Sequence, residues 1–391
     1  MLRLIFWTLA LAILSIFSLH AQTITIDGVA DRATYTDTAA FRVQTNSGFT
    51  YQVTLNGAPV PSGITNRITR MDYYDLAVRR TDLVTSAVTN VLVRFIVLSS
   101  NRGDPERGLI EWTPYPPISS AGAEFAGAHL EMIAPKDYPR GLEIPVAVRA
   151  VDNADNERRA NGWVSAPGFE ANAFRLVRGH GHGFLPAATN SGTINFDAHV
   201  SALTTNKQIN IEASTTWSSI SGTLSGTTIW GTNSRISVTG NLFVPVSSLL
   251  RVQEGTIVRL MPGVNITNFG KIWIDGTTER PVVFTATNRV APEQHTGAWG
   301  GFVMTTAGPG AELIANGAIM TGAGAATGWN FSPGASHKSD QALLLLQQGG
   351  GGHAYLTNCY LINNAGQIAN GYNTDITYDH CLLQRAITSG E

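Results

Sequence analysis

Two phrases near the end of the chain, HAYLTNCYLINN (His353–Asn364) and DITYDHCLLQR (Asp375–Arg385), repeat one pattern at a fixed interval. Leu356, Cys359 and Leu361 of the first align with Tyr378, Cys381 and Leu383 of the second. Ile314, Gly317 and Ile319 carry the same internal spacing upstream, and Gly255-Thr256 recurs as Gly276-Thr277 at nearly the same interval. Beyond Thr193 the apolar residues follow no helical period. They fall in short runs between turn residues, such as RISVTGNLFV, LLRVQEGTIVRL and PVVFTA. A repeat of about 21 or 22 residues with several short strands in each turn is the signature of a solenoid. Each turn can bury its apolar face only by stacking on its neighbours. Residues one repeat apart then lie about 4.8 Å from one another in the hydrogen-bonding direction. The expected fold class is all-β: an antiparallel β-sandwich region followed by a right-handed parallel β-helix. Leu356, Cys359, Leu361, Tyr378, Cys381 and Leu383 are its expected interior ladder. A disulfide between Cys359 and Cys381 is the rival reading. Parallel Cβ vectors at strand spacing stand wider than the roughly 3.8 Å a disulfide prefers, which favours free thiols.

The N-terminus sets the compartment. Arg3 precedes an apolar run from Leu4 to Leu19, and small Ala21 precedes a polar chain, which reads as a secretory signal cut after Ala21. The apolar run approaches the length of a membrane span, but no basic stop-transfer flank follows it. The expectation is an exported, secreted or cell-surface protein with no membrane span once the signal is removed. About 370 residues then remain, enough for two or three domains. A formal net charge of −2 argues against nucleic-acid partners, which require a basic surface. Charged residues make up only 14% of the chain and glycines number 40, a composition that suits β-structure with many turns. Two cysteines cannot build a disulfide framework, so packing must hold the protein together.

Residues 1–21 are thus the signal. Over 22–100, alternating runs such as AAFRVQT and TYQVTLNGAPV end in turn signals, with an Asn-Gly pair of the hairpin type at Asn56. This pattern indicates an antiparallel sandwich. Residues 101–122 are a Pro/Gly-rich loop that contains Arg102-Gly103-Asp104. Residues 123–178 form a second sandwich or complete the first. GHGHGF (Gly179–Phe184) opens a stretch, 179–234, read as linker and lead-in strands. His180 and His182 would share one strand face, but two ligands are too few for a closed zinc site. The solenoid occupies 235–391. Leu383 and Cys381 would leave its ladder uncovered near Glu391, so C-terminal domains or a capping partner are expected.

The strand pattern over 22–100 resembles immunoglobulin-like modules of exported bacterial proteins. The stretch from Asn241 to Ala286, with its Gly-Thr turns and Arg280-Pro281-Val282-Val283-Phe284-Thr285, and the Trp299-Gly300-Gly301 that follows, resembles the opening coils of the pectin-lyase-like superfamily. With SHKSDQA (Ser336–Ala342) and Ala365-Gly366-Gln367, the whole also resembles large exported bacterial proteins, some of which continue into spore-coat-H-like kinase modules. The superfamily resemblance implies a right-handed β-helix. It leaves activity open, because that fold carries lyases, hydrolases, tailspikes and inert stalks alike.

Chemistry is sparse. Polygalacturonases of this fold carry Asn-Thr-Asp, an Asp-Asp pair, Gly-His-Gly and Arg-Ile-Lys, in that order. Here Asn373-Thr374-Asp375 and Gly179-His180-Gly181 occur in reverse order, and the other two motifs are missing. Glycosidic hydrolysis needs two carboxylates at fixed separation. A pectate lyase needs clustered acidic calcium ligands, and Asp375, Asp379 and His380, with Arg385, are the nearest approach. The insertion 325–341 offers Trp329, His337, Lys338 and Asp340, residues suited to stacking on sugars and bonding their hydroxyls, and with Asp375, Asp379 and His380 they are the candidate glycan-binding residues. No catalytic residue and no metal site is assigned. The expectation is a β-helix module that binds or displays polysaccharide or cell-surface glycan without catalysis and without a cofactor. The alternative is a polysaccharide lyase or glycoside hydrolase whose catalytic coils lie beyond residue 391, with calcium its cofactor in the lyase case.

Overall fold

The computed structural model describes residues 23–70, 72–98, 126–169, 173–200, 202–288, 298–304, 310–324, 342–346, 352–371 and 374–386. Among them every regular element is a strand. None is a helix long and apolar enough to cross a membrane. Eight strands come first: β1 (Ile26–Asp27), β2 (Ala33–Thr36), β3 (Ala39–Val43), β4 (Phe49–Leu55), β5 (Ala58–Pro59), β6 (Asn66–Ile68), β7 (Asp72–Asp82) and β8 (Val88–Leu98). One sheet runs β1-β3-β6 and the other β2-β8-β7-β4-β5. The period-two pattern works as expected: Ala39, Phe41 and Val43 of β3 point inward and the residues between them outward. Asn56 and Gly57 both take positive φ (51° and 80°), the geometry a two-residue hairpin needs between β4 and β5. β2 joins its sheet parallel to β8, and the Tyr74 hydroxyl donates back to the Arg70 carbonyl at 2.7 Å.

A second sandwich repeats this plan strand for strand. Its members are β9 (Ala128–Ile133), β10 (Asp137–Tyr138), β11 (Ile144–Asp152), β12 (Gly162–Ser165), β13 (Ala173–Leu176), β14 (His180–Leu185), β15 (Gly192–Val200) and β16 (Leu203–Ile211). The sheets run β14-β11-β9 and β10-β16-β15-β12-β13, again with one parallel pair, β10 on β16. GHGHGF is therefore not a linker: it is β14, and the lead-in strands after it are β15 and β16. Its glycines permit close packing, not flexibility. A Cβ on Gly181 would stand 2.6 Å from the Arg175 carbonyl oxygen, and one on Gly183 2.6 Å from the Phe169 ring. Gly179 sits at φ +90°, where any added Cβ would run into the Arg158 carbonyl. Gly179→Ala is expected to cost about 2 kcal/mol or more, from left-handed strain plus that clash. A urea midpoint unchanged from wild type would contradict this reading.

The remaining strands wind into a solenoid. β17 (Ser218–Thr223) lies parallel on β19 and opens the stack. Successive coils are β18 (Thr227–Trp230) with β19 (Arg235–Val244); β20 (Leu249–Gln253), β21 (Ile257–Leu260) and β22 (Ile266–Asn268); and β23 (Lys271–Asp275), β24 (Val282–Ala286) and β25 (Phe302–Val303). Next are β26 (Glu312–Asn316), β27 (Ala318–Thr321) and β28 (Ala342–Leu346), then β29 (His353–Thr357), β30 (Tyr360–Asn364) and β31 (Gln367–Gly371), and finally β32 (Asp375–Asp379) and β33 (Leu382–Ala386). They form three parallel stacks: β18-β20-β23-β26-β29-β32, β19-β21-β24-β27-β30-β33 and β19-β22-β25-β28-β31. β19 turns a corner, so it heads two of them. Thr227 pairs with Leu249, Leu249 with Lys271 and His353 with Asp375, each one short coil further along the chain. Lys271 with Glu312 and Glu312 with His353 lie nearly twice as far apart in sequence, because two coils carry long insertions.

The repeated phrases stack in register. Leu356 pairs with Tyr378 and Leu361 with Leu383, and the Leu382 amide donates to the Cys359 carbonyl. Each phrase turns its corner on a left-handed residue: Gly317 (φ 59°), Asn358 (51°) and His380 (51°). The next residue points into that tight corner and is small: Ala318, Cys359, Cys381. One expectation needs correction. Ile314, Gly317 and Ile319 are one residue out of step, since Ala315, Ala318 and Met320 face inward while Ile314 is 38% exposed. The coil beneath explains this: Trp299, Phe284 and Phe302 already fill the interior, leaving room for alanines above. Leu383 stacks on Leu361 yet is 40% exposed, because no described strand lies on its far side.

The solenoid's outer faces are not equivalent. On the β21-β24-β27-β30 stack, outward Ile257, Val283, Ile319, Tyr360 and Ile362 share one buried core with the second sandwich. Arg235 fastens the first coil there, pairing with Glu212 at 2.6 Å and donating to the carbonyls of Asp137 (3.1 Å) and Gly255 (2.8 Å).

Candidate functional site

With one face under the sandwich, the β18-β20-β23-β26-β29-β32 stack presents an uncovered outer face. Its central outward row is Ile229, Arg251, Trp273, Ile314, Tyr355 and Thr377, each the register partner of the next. Ile229 is 58% exposed and Tyr355 42% exposed, and Trp273 is half-buried. Alternation explains the row. In KIWID, Ile272 and Ile274 go to the core, so Lys271, Trp273 and Asp275 face out. In HAYLT the inward residues are Ala354 and Leu356, which turns His353, Tyr355 and Thr357 outward.

Polar neighbours surround the aromatic rings, and one fixes the indole. Trp273 donates through Nε1 to Glu312 Oε1 at 2.8 Å, and Lys271 Nζ lies 3.6 Å from that carboxylate and 5.8 Å from the indole centroid. The His353 ring lies 6.1 Å from Tyr355, centroid to centroid, and its Nδ1 stands 3.4 Å from Asp375. One flank of the row is therefore Lys271, Glu312, His353 and Asp375. The other is Asp275, Asn316, Thr357 and Asp379, with Asp275 held by Arg251 at 2.6 Å.

The residues singled out in the sequence divide. Asp375 and Asp379 stand on this face, with His380 at its corner, 2.7 Å from Asp379. The two aspartates occupy opposite ends of β32, about 13 Å apart at strand rise, too far to hold one cation. No group of three potential metal ligands forms among the described residues. Trp329, His337, Lys338 and Asp340 lie outside the described residues, as does Arg102-Gly103-Asp104. Sequence reading missed Trp273 and Tyr355. They are register neighbours twice removed across the two long coils, so a ruler set by the short coils does not align them.

Both cysteines are free. Burial pushes the Cys359 thiol well above its ordinary range, whereas a hydrogen bond from Cys359 draws Cys381 below it. Cys381 is also the more exposed of the two. Thiol titration without reductant is expected to count two thiols in unfolded protein, with Cys381 alone reacting readily in the native state. One or no thiol on unfolding, or equal native rates, would contradict this arrangement.

Fold and face together define a two-sandwich chain carrying a parallel β-helix. Residues 222–328 match the pectate-lyase like beta helix domain family. No curated protein matches the chain. Among solved structures, the Parabacteroides merdae β-glucuronidase aligns at 10% identity and a TM-score of 0.17, over 48% of this chain and 24% of that one. A three-immunoglobulin-domain titin variant aligns at 6% identity and a TM-score of 0.16, over 48% of this chain and 64% of that one. The chain spans under two thirds of either structure, and at these TM-scores the likeness carries no argument.

Proposed function

We propose that this is an exported, non-catalytic module whose β-helix binds glycan along the open face. The observation that carries the reading is the stacked row Trp273, Ile314, Tyr355, flanked on both sides by hydroxyl, amide and carboxylate groups. Exposed apolar rings in register invite the flat apolar faces of sugars, and polar rows at strand spacing suit hydroxyls on the ring edges. Export rests on the signal over Met1–Ala21. The two sandwiches are read as immunoglobulin-like supports, on their shared strand order, the parallel β2–β8 pair and the Tyr74 corner. The non-catalytic reading is supported by the spacing of Asp375 and Asp379, which at strand rise stand beyond either glycosidase geometry. A polysaccharide lyase is the second reading, favoured by the family matched over residues 222–328. Native affinity gels cast with a panel of plant and algal polysaccharides, together with assays for new reducing or unsaturated ends, test both. Retention without product is expected. Product release would establish the lyase or hydrolase reading instead, and no retention in any gel would remove glycan binding.

A further inference from the structure

We infer that the glycan bound by this face is a neutral one, laid along the solenoid axis, and that polyuronates are excluded. This rests on the glycan-binding reading and narrows its ligand class. Charge sets the ligand class. The permanent cations of the described face are Arg251 and Lys271, and each is already engaged by a carboxylate, Asp275 at 2.6 Å and Glu312 at 3.6 Å. Against these two stand four carboxylates, with Asp375 and Asp379 added at the last coil, where the partners are histidines. A polyuronate brings one negative charge per residue. It would have to break those pairs or lie against surplus carboxylates, and like-charge contact works against binding. A neutral chain meets no such cost and finds hydrogen-bond acceptors on both flanks.

The direction follows from the register. Trp273 and Tyr355 lie two coils apart, about 10 Å along the axis at strand spacing, with Ile314 between them. The indole is held in advance by Glu312, and the phenol ring lies beside His353. A chain that stacks on both must run across the strands, parallel to the axis. Ligands long enough to reach both rings gain two anchors in place of one.

Calorimetric titration of the full chain with cellohexaose, mannohexaose and hexagalacturonate tests this. At least one neutral hexamer is expected to bind, and hexagalacturonate not. Trp273→Ala and Tyr355→Ala are each expected to weaken the neutral ligand about tenfold or more, as loss of an anchoring aromatic does, with the thermal melt unchanged. Asp375→Lys combined with Asp379→Lys is expected to admit hexagalacturonate. Hexagalacturonate binding as tightly as the neutral hexamers, and lost in the same aromatic variants, would overturn the inference and leave glycan binding intact. Neutral binding indifferent to both aromatic variants would overturn the placement. Failure of every hexamer, on protein that also fails to be retained in polysaccharide gels, would overturn the functional reading as well.

Discussion

Trp299→Ala is expected to destabilise the protein by about 3–5 kcal/mol, the range for deleting a large buried aromatic. Trp299 is fully buried, in the interior cluster of the solenoid. It comes from the stretch between β24 and β25, so it enters the core at a corner and not from a strand. Its ring packs edge-on to Phe302 at 5.7 Å, and Phe302 in turn meets Phe284 at 5.2 Å. Its Nε1 donates to the Thr321 carbonyl at 2.9 Å in the coil above. Truncation therefore empties a cavity bounded by two coils and removes the donor from a buried carbonyl. The small side chains overhead, Ala315, Ala318 and Ala323, cannot expand to fill it. The glycines that follow are equally fixed: a Cβ on Gly301 would collide with the Ala342 carbonyl. Urea denaturation followed by circular dichroism checks the effect. Trp299→Phe should recover part of the loss. A Trp299→Ala change under about 1 kcal/mol would show that the residue does not fill the core as described.

The second large effect is expected at the sandwich–solenoid junction. Arg149 of β11 has a side chain only 3% exposed and lies between Glu131 (2.5 Å) and Asp155 (2.9 Å). Burial opposes its charge, but the Glu131 hydrogen bond and both carboxylates hold the guanidinium ionised. Removing one partner from a buried charge is costly, because the survivor loses its compensation while remaining out of water. Glu131→Ala is expected to cost about 2 kcal/mol, less than for a fully isolated pair since Asp155 remains. The double change Glu131→Leu with Arg149→Met should recover most of it, as apolar replacement of both partners often does.

The same junction carries a pH dependence. His180 of β14 is buried, with Glu157 3.0 Å from its Nε2 and Arg149 and His380 nearby. Burial, more than the cations, lowers its pKa from 6.5, although Glu157 pulls the other way. A base with a depressed pKa binds fewer protons folded than unfolded. Stability is therefore unaffected above about 6.5 and falls as the pH drops below it, down to the folded pKa. Between pH 7 and 5 wild type should lose stability relative to His180→Gln, which keeps a polar side chain without the titration. Parallel stability curves for the two proteins would contradict the assignment.

How much of this was legible follows from which physical signals survive in one dimension. The solenoid was, because Cys359 and Cys381 sit at an identical corner whose geometry demands a left-handed residue and then a small inward one. Coils of equal length repeat that demand at a fixed interval. The insertions that nearly double the length of two coils erase the interval, and so the stacking of Trp273 over Ile314 and Tyr355 was hidden. Alternation in KIWID and HAYLT is the signal that could have turned those aromatics outward on paper, but nothing in sequence placed them in one row. In GHGHGF the glycine signal misled. Glycine serves both loose chain and crowded chain, and only the nearness of Phe169, Arg175 and Arg158 shows which applies. The covered face was likewise invisible, since Ile257, Val283 and Ile319 look like core in either direction. What covers them is the second sandwich, far upstream in the chain.

The most direct test of the glycan-binding face is a crystal structure of the chain soaked with the neutral hexamer that binds it. Sugar density is expected to run parallel to the solenoid axis across β23, β26 and β29, with one ring on Trp273 and another on Tyr355. Well-defined density on the β22-β25-β28-β31 face, or along a strand in place of across the stack, would contradict it.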